Sequence, residues 1–285
     1  MEPRTAFTDA YTRDVLARTA RRPGRSLLSP AQPASLADVH SGRAASLAAL
    51  VAALGDDEWM ATTRLGRSVV EVIAHLVGQL ERTAAELGAG SFDEGDDYEH
   101  WRSTEPYVAR YASSTTAPLV AALADVNERL AAHWDNAMGD PHDLGSVAAR
   151  ALGKVFELWM HTDDVRLATG RAVEVPDAPT LVTMCTLAAD AVPVALALTG
   201  TARPGAGARL VLTGPGGGVW LTPLAPGESV PAGARGDVTI VAAAHDFCRL
   251  FHRQVEAADV VLAIEGDDAL ARDVLAAAGV LAEAN

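Results

Sequence analysis

Two short stretches, far apart in the chain, each put metal-ligand side chains where a helix would present them: Glu71-Val-Ile-Ala-His75-Leu-Val and Glu157-Leu-Trp-Met-His161-Thr-Asp-Asp-Val. In the second, a carboxylate and an imidazole stand four residues apart, so an α-helix stacks them on one face. If the two helices are packed neighbours, His75, Glu157 and His161 form a two-histidine, one-carboxylate set that leaves positions open on a bound cation. An open position takes a water, a substrate or a thiol, so the set suits Lewis-acid chemistry. The plain alternative is a solvated Glu-x-x-x-His pair or a hydrogen-bonded core histidine. A chain with 8 histidines and 37 acidic residues produces such a pair by chance fairly often. The apolar neighbours of His75 and His161 favour the metal, because an unpaired imidazole or carboxylate among them costs about 1–3 kcal/mol. Asp163 and Asp164 are placed to support the ligands from behind, with surface solvation the expected role for at least one of them.

Other constellations are weaker. His245-Asp-Phe-Cys248-Arg-Leu-Phe-His252 puts three possible ligands on one helical face, but structural zinc usually draws its ligands from two elements and a fourth is missing. Cys248 as a nucleophile has only Arg249 and His252 nearby to lower its pKa. Arg253 suits attraction of an anionic substrate, against the commoner role of a solvated helix residue. Gly214-Pro-Gly-Gly-Gly218 falls between two apparent strands and reads as a hairpin loop, not a phosphate cradle leading into a helix. The chain has no Gly-x-Ser-x-Gly, His-Glu-x-x-His or Cys-x-x-Cys motif.

The elements that must hold these residues can be read from periodicity and punctuation. Residues 7–20 read as a short helix, followed by a linker from Ser26 to Ser35. A stripe through Leu47, Leu50, Val51 and Leu54 stops at Gly55, read as a C-terminal cap. Ser68-Val-Val-Glu71 is a capping box, and Val69, Val72, Ile73, Leu76 and Leu80 follow the helical period behind it, with His75 at the edge of the stripe. Residues 88–106, acidic and aromatic, read as a long connection that covers a site. Further helices start near Thr116, run through Leu152 to Val165 with an end at Gly170, and occupy about 180–198, where Pro193 should kink or shorten the last. Five helices with short connections indicate an up-down bundle. After Gly200, strands at Leu210–Thr213, Val219–Thr222, Val238–Val241 and 260–264 alternate with helices at about 244–256 and from 268.

Composition limits the partners. Hydrophobic residues are 49% of 285, enough for a core, and the net charge of −14 argues against nucleic acid and anionic membrane surfaces. No apolar run approaches the roughly 20 residues of a membrane span, and no secretory signal is evident at the N-terminus. Two cysteines give no disulfide framework, so a cytoplasmic, reduced protein is expected, as monomer or homodimer.

Taken in order and spacing, Ser68 to Leu76, Phe156 to Arg171 with Val173-Glu-Val-Pro176, Leu210 to Gly218 and Val261 to Asp267 resemble the mycothiol-dependent maleylpyruvate isomerase family. The resemblance spans roughly residues 36–282. It implies an α+β protein: an N-terminal extension (1–35), a DinB-like up-down helical bundle (36–200) that binds metal, and a small α+β sterol-carrier-like domain (201–285). It implies further that His75, Glu157 and His161 hold a divalent metal, usually zinc, that mycothiol is the thiol cosubstrate, and that an arginine matching Arg253 helps hold an acidic substrate. A segment like Cys-Pro-Gly-Trp, frequent before the first histidine helix of the family, reads Arg64-Leu-Gly-Arg67 here. That departure favours thiol S-transfer to a small electrophile over maleylpyruvate-type cis–trans isomerisation. A non-catalytic protein that sequesters a small hydrophobic ligand is the reading from a different class.

Overall fold

The computed structural model describes residues 32–92, 101–112, 116–137, 147–230, 235–260 and 262–278; the stretch 7–20, read as a short helix, lies outside them. The chain divides into two compact units, one built on Ser35–Val175 and the other on Pro176–Glu283.

The first unit is helical. Helix α1 (Leu36–Ala52) starts at Ser35, whose side chain accepts from the Asp38 amide. It ends at Ala52 rather than at Gly55: Gly55 has an extended φ of −77° and opens a 3-10 turn, Asp56–Met60. Helix α2 (Val69–Glu86) carries the expected capping box, with the Ser68 hydroxyl accepting from the Glu71 amide and the Glu71 carboxylate accepting from the Ser68 amide. A short helix α3 (Glu105–Tyr111) follows the 3-10 turn Arg102–Thr104, so the end of the 88–106 connection is structured. Helices α4 (Thr116–Ala131) and α5 (Val147–Ala168) complete the set. The end of α5 is fixed by Gly170 at φ 70°, with the Arg171 amide donating to the Arg166 carbonyl at 2.7 Å and the Gly170 amide to that of Leu167 at 3.1 Å. These are the two hydrogen bonds of a Schellman cap. Helix α2 packs on α3, α4 and α5, and α1 packs on α4 and α5, which closes the four long helices into a ring. Its core is the apolar stripe read from sequence, including Val72, Ile73 and Leu76, joined by Leu119, Val155 and Trp159.

The fifth helix, α6 (Ala178–Leu198), belongs to the second unit, where it packs on the sheet and on the later helices. The break between the two compact units therefore falls at Val175–Pro176, inside the 36–200 span that the resemblance assigns to the bundle. Pro193 neither ends nor shortens α6. A proline inside a helix leaves the carbonyl four residues back without its amide donor. Here that carbonyl is Ala189, and the buried Thr222 hydroxyl donates to it at 2.9 Å. Contrary to the sequence expectation, α6 is long and apolar enough to cross a membrane by length and composition, but 67% of its most apolar window is buried within the structure.

The sheet has the order β2-β1-β3-β4, from strands β1 (Gly207–Thr213), β2 (Gly218–Pro223), β3 (Val238–Ala243) and β4 (Ala263–Gly266). β1 and β3 are parallel neighbours, and the two outer pairings are antiparallel. The central strands are buried along nearly their whole length, as a strand covered on both faces must be. Gly214–Gly218 is the β1–β2 hairpin loop; Gly216 has φ 68°, and a Cβ there would collide with the Leu181 side chain. Helix α7 (Ala244–Phe251) is shorter than the expected 244–256, and α8 (Asp268–Ala277) closes the described chain. The α+β expectation holds.

Candidate functional site

The capping box at Ser68 sets where α2 begins, and the apolar stripe behind it turns His75 inward, two turns into the helix and fully buried. Helix α5, packed beside α2, brings His161 to it: the two rings lie 5.3 Å apart between centroids and meet nearly edge to face at 85°. Trp101, at the end of the acidic connection, stacks on His75 at 3.9 Å with 22° between planes and stands edge-on to His161 at 5.9 Å.

Hydrogen bonds fix which nitrogen each ring presents. The Thr104 hydroxyl donates to the Trp101 carbonyl at 3.0 Å, so at 2.6 Å it accepts from His75 Nδ1–H. His161 Nδ1 lies 3.1 Å from Asp164 Oδ2. Burial alone would push the Asp164 carboxyl up, but the hydrogen bond from His161, together with the hydrogen bond and charge of Arg64, outweighs it and holds the group below its ordinary value. Asp164 is thus an acceptor, and His161 Nδ1–H is the donor. Both rings commit Nδ1 to an outer partner, the arrangement found behind ligating histidines.

This bears on whether the pair suits a cation. Two imidazoles bound through Nε2 to one tetrahedral ion at about 2.0–2.1 Å place their ring centres roughly 5 Å apart. The observed 5.3 Å fits. The third donor is less advanced. Glu157 is buried one turn before His161, with Oε1 3.2 Å from the Lys154 ammonium. Among the described residues no group of three His, Cys, Asp or Glu side chains is drawn together closely enough to hold an ion.

The neighbouring acids behave differently from each other. Asp164 supports His161, whereas Asp163 accepts from the Glu174 amide at 3.0 Å and ties the chain after α5 back onto that helix. Both are buried, so neither is the solvated residue expected. Glu174 itself pairs with Arg43 and Arg166 and bonds Ser46, clasping α1 to α5. Sequence reasoning missed Arg64, Arg67, Trp101 and Thr104. Arg64 Nε donates to Asp164 Oδ1 at 2.6 Å, and the Arg67 guanidinium lies over the Trp101 ring at 5.3 Å. The one available signal was two arginines and a tryptophan flanking the histidine helix.

The rival cluster does not assemble as a ligand set. Cys248 lies in the core with its sulfur 3.6 Å from that of Cys185, and burial followed by the Cys185 contact pushes its thiol well up, opposite to what a nucleophile needs. Arg253 falls outside α7, in a left-handed conformation at φ 52°. In that second unit it lines a cavity of about 360 Å³ together with Leu250, Glu256, Arg272 and Leu275.

Residues 40–166 match the family model described as the mycothiol maleylpyruvate isomerase N-terminal domain. Two solved structures are similar in fold: the mycothiol-dependent maleylpyruvate isomerase (TM-score 0.51, 14% identity) and a histidine-to-alanine mutant of it (TM-score 0.52, 15% identity). Each comparison covers 80% of this chain and 91% of the other. No curated protein sequence matches the chain.

Proposed function

We propose, on the premise that residues 40–166 are a mycothiol maleylpyruvate isomerase N-terminal domain, that this chain is an enzyme delivering a low-molecular-weight thiol, mycothiol, to a small electrophile at a divalent cation held by His75, His161 and Glu157. Zinc is the first choice of ion for two imidazoles and a carboxylate. The observation that carries the reading is the histidine pair: two buried rings at 5.3 Å, each with Nδ1 committed to a fixed partner. A cation there supplies Lewis acidity that keeps a coordinated thiol ionised at neutral pH.

The chain's own residues prepare the rest. Asp164 and Thr104 hold the two rings in their tautomers, and Trp101 covers one face of His75. Lys154, 3.2 Å from Glu157 Oε1, balances the charge of that buried carboxylate. Arg253 and Arg272, lining one cavity, suit the acidic group of a substrate. The free, buried Cys185 and Cys248 accord with a cytoplasmic, reducing setting.

Two outcomes follow from one attacking sulfur. If it displaces a leaving group and stays, the reaction is S-transfer, which the Arg64-Leu-Gly-Arg67 departure favours. If it adds to a conjugated double bond and leaves after rotation, the reaction is a maleylpyruvate-type cis–trans isomerisation, as the family resemblance implies. The test mixes the protein with mycothiol and a thiol-reactive electrophile, or a maleylpyruvate-type substrate, with and without a chelator. Chelator-sensitive consumption is expected, and His161→Ala should lose bound zinc and activity together. Thiol transfer that survives in His161→Ala would overturn the assignment, and ligand binding without turnover on any substrate would favour the sequestering protein.

A further inference from the structure

Arg64 and Arg67 stand on one tight turn, yet each reaches a different histidine. The turn runs from Thr62 to Ser68, which pair as an antiparallel bridge; the Thr63 amide donates to the Arg67 carbonyl at 2.8 Å, and Gly66 at φ 72° reverses the chain. From one side, Arg64 Nε reaches Asp164 Oδ1 at 2.6 Å, while Asp164 Oδ2 holds His161 Nδ1 at 3.1 Å. From the other, Arg67 bonds Glu71 at 3.3 Å and Glu105 at 3.1 Å and lays its guanidinium over Trp101, the ring stacked on His75.

Solvated arginines explain this poorly. The Asp164 side chain is fully buried, and a buried carboxylate requires a counter-charge with good geometry. Arg64 supplies it while its own side chain stays 36% exposed, so it links solvent to a core acid that touches a candidate ligand. Arg67 fastens the first turn of α2, at Glu71, to the first turn of α3, at Glu105. Trp101 and Thr104, which both contact His75, lie in the segment leading into α3.

We infer that the Thr62–Ser68 turn is the positioning element of the histidine pair, with Arg64 orienting His161 through Asp164 and Arg67 orienting His75 through Trp101. Its purpose rests on the metal reading proposed above, but its geometry does not. Neither arginine touches a reacting group; both act through another side chain.

The test reads ring tautomers directly. In the ¹⁵N-labelled, metal-free full-length chain, two-bond ¹H–¹⁵N correlations report which nitrogen of each histidine is protonated, with His75 and His161 identified by their loss in His75→Gln and His161→Gln. Both rings are expected Nδ1-protonated in the wild type. Arg64→Ala should mix the tautomers of His161 and leave His75 alone. Arg67→Ala should shift the His75 signals and leave His161 alone. Arg64→Lys keeps the charge without the Nε–H donor; it should give an intermediate His161 pattern, and it serves if the alanine variant does not fold. Arg171→Ala removes a comparable 2.6 Å pair, with Glu58, and should change neither ring. Unchanged rings in both variants overturn the inference, and so does a joint change of both rings in each. Zinc binding then separates the two readings. A loss of about 10–100-fold in zinc affinity is expected for each variant. A wild type that takes up no zinc sinks the metal reading and leaves the tautomer result to decide this one.

Discussion

The two units bury different chemistry. Among the described residues, the helical unit hides His40, Arg43, His75, Glu157, His161, Asp163 and Asp164, whereas the buried polar side chains of the second unit are Thr180, Thr222 and Thr239. Thr222 serves the backbone, replacing the amide that Pro193 lacks. The helical unit instead accepts the desolvation of ionisable groups, which costs stability unless each is paired. It meets that cost with chains of partners such as Arg64, Asp164 and His161. One unit is built for stability and the other keeps charge in its core, which marks the helical unit as the place to look for reactivity.

The sharpest way to break that contrast is Phe247→Ala in the second unit. Phe247 is buried and packs on Phe251, so its loss should cost about 3–5 kcal/mol in denaturant unfolding. The tautomers of His75 and His161 should stay as they are, and a change in them would refute the division of labour.

Next in size is an acid response seated in the helical unit. Burial lowers the His40 pKa from 6.5 to about 4, against the opposing hydrogen bond to Asn127. Above pH 6.5 the ring is neutral in both folded and unfolded chains. Between 6.5 and about 4 the unfolded chain binds a proton that the folded one refuses, so stability falls as the pH drops and levels off below 4. The full loss is about 3 kcal/mol. His40→Gln, which keeps a donor for Asn127, should flatten this part of the profile in urea unfolding followed from pH 7 to 4. An unchanged slope would place the acid sensitivity elsewhere.

The smallest effect tests the threonines. Thr222→Val keeps the shape but strips the Ala189 carbonyl of its donor, and should cost about 1–3 kcal/mol. It should do so equally at pH 5 and pH 7, since no titrating group is involved.

What the sequence disclosed was local. The Ser68 box, the Gly170 cap and the glycine hairpin each depend on a few consecutive residues, and each appears where the sequence indicates. His75 and His161 are legible because an imidazole amid apolar helical neighbours needs a reason. Their surroundings are not, because Trp101 and Thr104 lie more than two dozen residues beyond His75 and arrive by tertiary folding. Nothing in Asp163-Asp164 says which carboxylate turns to the ring and which to the Glu174 amide; one residue of helical rotation decides it. The membership of α6 was misread for a like reason, since an apolar helix fits a bundle or a sheet equally well until its partners are known.

Helix α6 has one more consequence, for the order of events at the ribosome. It is synthesised before β2, α7 and α8, on which it packs, and that part of its apolar surface waits for them to emerge. During that interval the nascent chain displays a stretch resembling a membrane span, with Ala189 still lacking the hydroxyl that Thr222 later brings. A pause with Leu198 outside the ribosomal exit tunnel and Gly218 still within it would hold the segment in the state most attractive to chaperones and targeting factors.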